Sequence, residues 1–183
     1  MNEKEKMLTG ELYNSADKTL VKERLNAKQL CFEYNSLAPN QIEHKQEIIK
    51  KLFNKTGKNF LIEPSFHCDY GYNIEIGENF YSNHNLVILD CAKVTFGKNV
   101  FIGPNCGFYT AQHPIQADER NTGLEYAQPI TIKDNVWFGG NVCVLSGVTI
   151  GNNVVIGAGS VVTKDISDNC VAIGNSCKVI KKL

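Results

Sequence analysis

Ile132-Lys133-Asp134-Asn135-Val136-Trp137, Phe138-Gly139-Gly140-Asn141-Val142-Cys143, Val144-Leu145-Ser146-Gly147-Val148-Thr149, Ile150-Gly151-Asn152-Asn153-Val154-Val155, Ile156-Gly157-Ala158-Gly159-Ser160-Val161 and Val162-Thr163-Lys164-Asp165-Ile166-Ser167 follow one another without a break. The first place is apolar in all six. The fifth is Val or Ile in five of the six, with Ser160 the exception. A helix repeats about every 3.6 residues and a strand about every two. Neither puts an apolar residue at each sixth place with Gly or Asn between. A chain of sixes does, each a short strand and a turn, with roughly three making one coil of a parallel β-helix. First-place side chains then point into the prism, and Gly and Asn supply the positive φ of its corners. A β-sandwich would need irregular strand spacings and longer turns.

The same phase recurs at Ile76-Gly77-Glu78-Asn79-Phe80-Tyr81, Phe96-Gly97-Lys98-Asn99-Val100-Phe101 and Ile102-Gly103-Pro104-Asn105-Cys106-Gly107. It fails from about 114 to 131, a polar, Pro-bounded segment that reads as a loop thrust out of a coil, where function tends to reside. Ahead of the coils, residues 1–58 read as helical. Leu20, Val21, Leu25, Ala27, Leu30, Cys31 and Tyr34 fall at helical spacing behind a candidate N-cap, Asp17. Asn40 and Glu43 resemble a capping pair for a second helix with Ile42, Ile49, Leu52 and Phe53 on one face, and Gly57 reads as its stop. The sequence therefore predicts a mainly β chain: a helical segment over 1–58, then a parallel β-helix over 59–183 with one protruding loop.

Composition narrows the function. Nineteen basic and nineteen acidic residues cancel, so nothing marks nucleic acid or an anionic membrane as a partner. Met1 to Met7 has no apolar stretch behind its charges, and no run approaches the roughly 18 residues of a membrane span. Seven cysteines, an odd number without a C-x-x-C pair, read as small buried hydrophobes in a reducing, cytoplasmic setting; no metal is expected. No P-loop or dinucleotide-binding glycine motif supports nucleotide hydrolysis or hydride transfer.

Six further stretches carry a resemblance: Gly10-Glu11-Leu12-Tyr13, Cys68-Asp69-Tyr70-Gly71-Tyr72-Asn73-Ile74, Asn79-Phe80-Tyr81-Ser82-Asn83, Ala111-Gln112-His113-Pro114, Asn135-Val136-Trp137-Phe138-Gly139-Gly140 and Gly157-Ala158-Gly159-Ser160-Val161-Val162-Thr163-Lys164-Asp165. Together they resemble the maltose and galactoside O-acetyltransferases, with the maltose type nearer. The resemblance runs from the N-terminal helices to Val179-Ile180-Lys181-Lys182-Leu183. It implies a left-handed β-helix, an exception to the right-handed crossover rule. It also implies a homotrimer with active sites between subunits, and acetyl transfer from acetyl-CoA to a sugar hydroxyl.

That chemistry asks for a base that is neutral near physiological pH, and histidine fits. His44 lies among charges, and His67 and His84 sit in the first coils. His113 borders the irregular segment; position alone leaves it open between a base and a structural histidine. It matches the family's catalytic histidine. Asn83, by itself a corner asparagine, matches the family's oxyanion-stabilising asparagine. Glu125 reads either as a hydrogen-bond acceptor that orients His113 or as an exposed loop carboxylate.

Asp69, Asp90 and Arg24 match sugar-contact positions. Ser15 and Cys91 stand where galactoside-type members carry acids, which speaks against a galactoside preference. Tyr81 is open between pocket wall and core. For acetyl-CoA, Trp137 matches the residue lining the pantetheine groove, Gly140 and Ala158 leave it room, and Thr163, Lys164, Lys178 and Lys181 match nucleotide and phosphate contacts. Lys178 stands where relatives often have Arg, a better bidentate partner. None of the cysteines carries the signature of an activated thiolate, so no acyl-enzyme is expected. Three rivals remain: an antibiotic or other xenobiotic acetyltransferase on the same fold, a gamma-type carbonic anhydrase using His67, His84 and His113 on zinc, and a non-catalytic trimeric scaffold.

Overall fold

The computed structural model describes residues 1–183. The coils form a three-sided parallel β-helix. One side stacks Phe60–Ile62, Phe80–Ser82, Phe101–Ile102, Val136–Phe138, Val154–Ile156 and Cys170–Ile173, and Lys178–Lys182 turns back antiparallel to close it. The second side stacks Phe66–Cys68, Leu86–Leu89, Gly107–Tyr109, Cys143–Leu145 and Val161–Val162. The third stacks Ile74–Ile76, Val94–Phe96, Ile130–Ile132 and Thr149–Ile150.

First-place Ile132, Phe138, Val144, Ile150, Ile156 and Val162 are all buried, and so is the fifth place. Ser160 is tolerated there because its hydroxyl donates to Gly157 O (2.6 Å) and accepts from Gly174 N (3.0 Å). Phe80, Phe96, Phe108 and Phe138 stack edge to face through the prism at 4.9–5.3 Å between ring centroids.

Positive φ at the repeated corners comes mainly from asparagine: Asn79, Asn85, Asn99, Asn105, Asn135, Asn141, Asn153 and Asn169. Their side chains form ladders, as Asn79 to Asn99 (3.0 Å) and Asn99 to Asn135 (2.9 Å). The second-place glycines serve another need. A Cβ on Gly77 would lie 2.4 Å from Gly97 O, so backbone packs directly on backbone between coils. Gly57 belongs to this column, 2.6 Å from Gly77 O by the same construction. It is not a helix stop.

The repeat slips at one edge of the prism. Strand starts are six residues apart from Phe60 to Phe66 and from Ile74 to Phe80. They are eight apart from Phe66 to Ile74 and from Leu86 to Val94. The two extra residues fall at the turns holding Asp69 and Asp90. In the next coil the same edge releases the long excursion between Gly107–Tyr109 and Ile130–Ile132. The excursion is itself ordered. Ala111–Gln112 pairs antiparallel with Leu124–Ala127 across a short helical turn, Ala117–Arg120, and the coil resumes at Ile130, just inside the expected limit of about 131.

The N-terminal segment packs on this edge. It holds α1 (Glu3–Thr9), which the sequence reading did not resolve, then Tyr13–Asn14, α2 (Lys18–Ser36) and α3 (Ile42–Leu52). Asp17 caps α2 by accepting from Thr19 N and Leu20 N. The expected Asn40–Glu43 cap of α3 does not form. Gln41 is the N-cap without a side-chain cap bond, because its Oε1 accepts from Ala38 N instead. Leu25 and Ile42, expected on apolar faces, are exposed. Tyr13–Asn14 adds a third strand to the excursion through Tyr13↔Glu125 and Asn14↔Leu124. Met7, Tyr13, Leu20, Tyr70, Cys91, Ala92 and Ala127 form a small second core there, apart from the 38-residue core of the prism. No helix is long and apolar enough to cross a membrane.

Candidate active site

Two groups of candidate residues lie on two different edges of the prism. At the edge with the slipped turns, Arg24 on α2 donates to Tyr70 Oη (2.7 Å) and to Ser15 O (2.6 Å). Cys91 Sγ donates to Asp69 Oδ2 (3.5 Å), and Tyr13 Oη donates to Glu125 Oε2 (3.0 Å). Arg24, Ser15, Asp69 and Glu125, expected from sequence to share a site, are thus gathered at this edge. Burial raises the Asp69 carboxyl above its ordinary range; the Cys91 thiol and Arg24 pull it back, and Glu125 pushes it further up.

His113 leaves the Ala111–Gln112 strand on the same edge, exposed and followed by a buried proline. The pairs Ala111↔Ala127 and Gln112↔Tyr126 put it, one step on, across from Glu125. The sequence expectation that Asp90 contacts the acceptor is corrected here. Its carboxylate is fully buried and accepts from the backbone N–H of Asp69 (3.0 Å), Tyr70 (2.9 Å), Gly71 (2.7 Å) and Asn73 (3.4 Å). Burial pushes it up to about 7, against the pull of those amides. Asp90 shapes the turn that presents Asp69. Asp90→Ala would orphan these donors, and we expect a stability loss of about 3 kcal/mol, read from the urea midpoint.

The second group runs along the edge between the first two sides. Tyr81, Phe101 and Trp137 are in register on adjacent strands and face outward. With Asn83, Ile102 and Gly103 they line an open groove of about 510 Å³. Tyr81 is therefore a groove wall. Trp137 is 57% exposed, an unusual cost for a lone tryptophan unless something covers it. The corner beside it stacks Gly103, Gly139 and Gly140, with Ala158 one coil on, where Gly159 N donates to Gly140 O (2.9 Å). Asn83 Oδ1 accepts from His84 N (2.7 Å), so its amide NH₂ is the end left to donate.

The row of Trp137 continues through Val155 and Val171 to Lys181. Lys178 is on the same closing strand, and Thr163 and Lys164 are exposed just past Val161–Val162. His67, His84 and His113 are not gathered: no three His, Cys, Asp or Glu side chains are grouped as metal ligands.

Within one chain, then, His113 sits at the edge that holds Glu125 and Asp69, while Asn83 shares the groove of Trp137, and the two groups lie on separate edges. Sequence reasoning gave no role to Tyr13 or Tyr70. Both lie in the quoted motifs, and nothing in their local spacing distinguishes a buried phenol with a hydrogen-bonding task from plain core.

The chain is similar to known proteins over its whole length. Residues 6–57 match the maltose acetyltransferase hexapeptide capping motif, and residues 129–164 match the bacterial transferase hexapeptide (six repeats). A putative acetyltransferase of Saccharomyces cerevisiae is 55% identical over 180 residues, covering 98% of this chain and 92% of that protein. The crystal structure of a maltose O-acetyltransferase from Clostridium difficile 630 is similar at a TM-score of 0.99 and 51% identity, covering 100% of this chain and 98% of that one. A galactoside acetyltransferase in complex with coenzyme A is similar at a TM-score of 0.96 and 44% identity, covering 100% and 91%. The chain belongs to the hexapeptide-repeat acetyltransferases, in the family of the maltose and galactoside O-acetyltransferases.

Proposed function

We propose that this acetyltransferase moves the acetyl group of acetyl-CoA to a hydroxyl of a small sugar such as maltose or glucose, by direct attack and without an acyl-enzyme. The sugar oxygen attacks the thioester carbon while His113 takes its proton, with Glu125 holding the imidazole. Asn83 NH₂ donates to the oxyanion of the tetrahedral intermediate. Collapse expels the CoA thiolate, and the proton held by His113 returns to the sulfur. Asp69 and Arg24 bind acceptor hydroxyls beside Ser15, on the turn that Asp90 shapes. The pantetheine arm lies along Trp137, Gly140 and Ala158, with its phosphates and nucleotide toward Thr163, Lys164, Lys178 and Lys181.

The observation that carries this reading is the split itself. One edge supplies the base and the acceptor carboxylate; another supplies the aromatic groove and the amide donor. The two halves complete each other when a second copy docks edge to edge, with Tyr81 then serving as part of the acceptor wall. A closed ring of three copies uses every edge equivalently. The exposed apolar row of Leu61, Phe101 and Trp137 supports such an assembly. We expect light scattering at micromolar concentration to give about three times the chain mass. A monomer mass would contradict the ring. Acetyl-CoA and seven free thiols both suit a reducing cytoplasmic setting.

The test is a panel of mono- and disaccharides with acetyl-CoA, followed by release of free CoA thiol. Release that depends on a sugar is the expected result. Release driven by antibiotics or amines but by no sugar would overturn the acceptor assignment, and the absence of release with every acceptor in a broad panel would favour a scaffold.

A further inference from the structure

The N-terminal segment reaches the base through one side chain that the reaction above leaves without a task. Tyr13 is fully buried, in a two-residue strand lying between the helices and the excursion. A buried phenol has to place its O–H, and this one donates to Glu125 Oε2 at 3.0 Å. Burial first, then Cys91 and Glu125 nearby, drive its pKa far up, so the hydroxyl stays a donor.

The sheet register gives that bond its meaning. Glu125 pairs with Tyr13 on one side. On the other, the register of Ala111↔Ala127 and Gln112↔Tyr126, carried one residue past the end of the strand, sets His113 opposite Glu125. Residues directly opposite in an antiparallel sheet share a face. Tyr13, Glu125 and His113 therefore form one cross-strand row with the carboxylate in the middle. Its Oε2 is held by Tyr13, which leaves Oε1 as the oxygen free to accept.

We propose that Tyr13 is a positioning residue: its hydroxyl fixes Glu125 so that the carboxylate orients His113, tying the N-terminal segment to the acetyl transfer step. The inference rests on the reading of His113 as the base. A tether that merely held the segment in place would affect stability and assembly. It would leave the chemical step of folded enzyme intact.

The experiment is a double-mutant cycle in the full chain, on the best sugar of the panel. It uses Tyr13→Phe, Glu125→Gln, the two together, and His113→Ala. Tyr13→Phe keeps the buried ring and removes one oxygen. It should lower kcat about tenfold while KM for acetyl-CoA stays within about twofold. The double variant should be no slower than Glu125→Gln alone, because Tyr13 acts only through that carboxylate. Wild-type kcat in Tyr13→Phe, or losses that multiply in the double variant, would overturn the proposal. If Tyr13→Phe does not fold, Glu125→Asp takes its place. It keeps a carboxylate but draws it out of reach of Tyr13, so it should be as slow as Glu125→Gln; wild-type turnover would again overturn the idea. His113→Ala separates the two levels. Near-wild-type turnover there overturns the base and Tyr13 together. A dead His113→Ala beside an unaffected Tyr13→Phe overturns Tyr13 alone.

Discussion

His113→Ala is expected to lower kcat by about 10²- to 10⁴-fold, the usual worth of a general base. A sugar hydroxyl is far too weak an acid to ionise near neutrality, so the proton has to leave as the thioester is attacked. Affinity for CoA should change little, because the donor groove lies on a different edge, around Trp137 and Gly103. Fold and assembly should survive as well, since His113 is exposed and belongs to neither core. The checks are kcat, CoA affinity and particle mass on the purified variant. Near-wild-type turnover would place the base elsewhere.

Asn83→Ala is expected to lower kcat by about 10²- to 10³-fold, comparable to losing one preorganised oxyanion donor. The Asn83 Oδ1 contact to His84 N fixes which end of the amide faces the groove. An alanine removes the donor and leaves the corner backbone, where Asn83 N still bonds Ile102 O at 2.9 Å. KM for acetyl-CoA should move far less than kcat. A loss confined to KM would make Asn83 a binding residue and leave the oxyanion without its partner.

The prism was legible because its rule is local. Each six states its own inward residue, and Ile132 through Val162 are buried as the period requires. The chemistry of the corners was only partly legible. Asparagine supplies the positive φ at eight positions. Gly77 and Gly97 are glycine for a different reason: the coil above leaves no room for a Cβ, and a composition pattern cannot separate these two needs. Gly57 was misread for that reason, since a glycine after a helical stretch resembles a C-cap until its neighbour one coil away is known.

The site was less legible, because it forms where the repeat breaks. The two additional residues at the Asp69 and Asp90 turns and the excursion after Tyr109 fall on one edge, an alignment that only the stacking of coils reveals. Asp90 shows the limit of reading by position. An acid at a position that matches a sugar contact is expected to face the acceptor, yet four backbone amides claim its oxygens. Tyr13 shows the converse. Its partner is 112 residues away, so no window of sequence contains the pair.

The central claim is that one working site takes His113 from one copy of the chain and Asn83 from another. Subunit mixing tests it most directly. The His113→Ala and Asn83→Ala variants are denatured together in equal amounts, refolded, and assayed for sugar-dependent thiol release. In a ring of three, every mixed ring joins an intact His113 to an intact Asn83 at one junction. Random mixing should therefore recover about a quarter of wild-type activity from two nearly inactive proteins. A mixture no more active than its separate components would mean that each site is built within a single chain, contradicting the account.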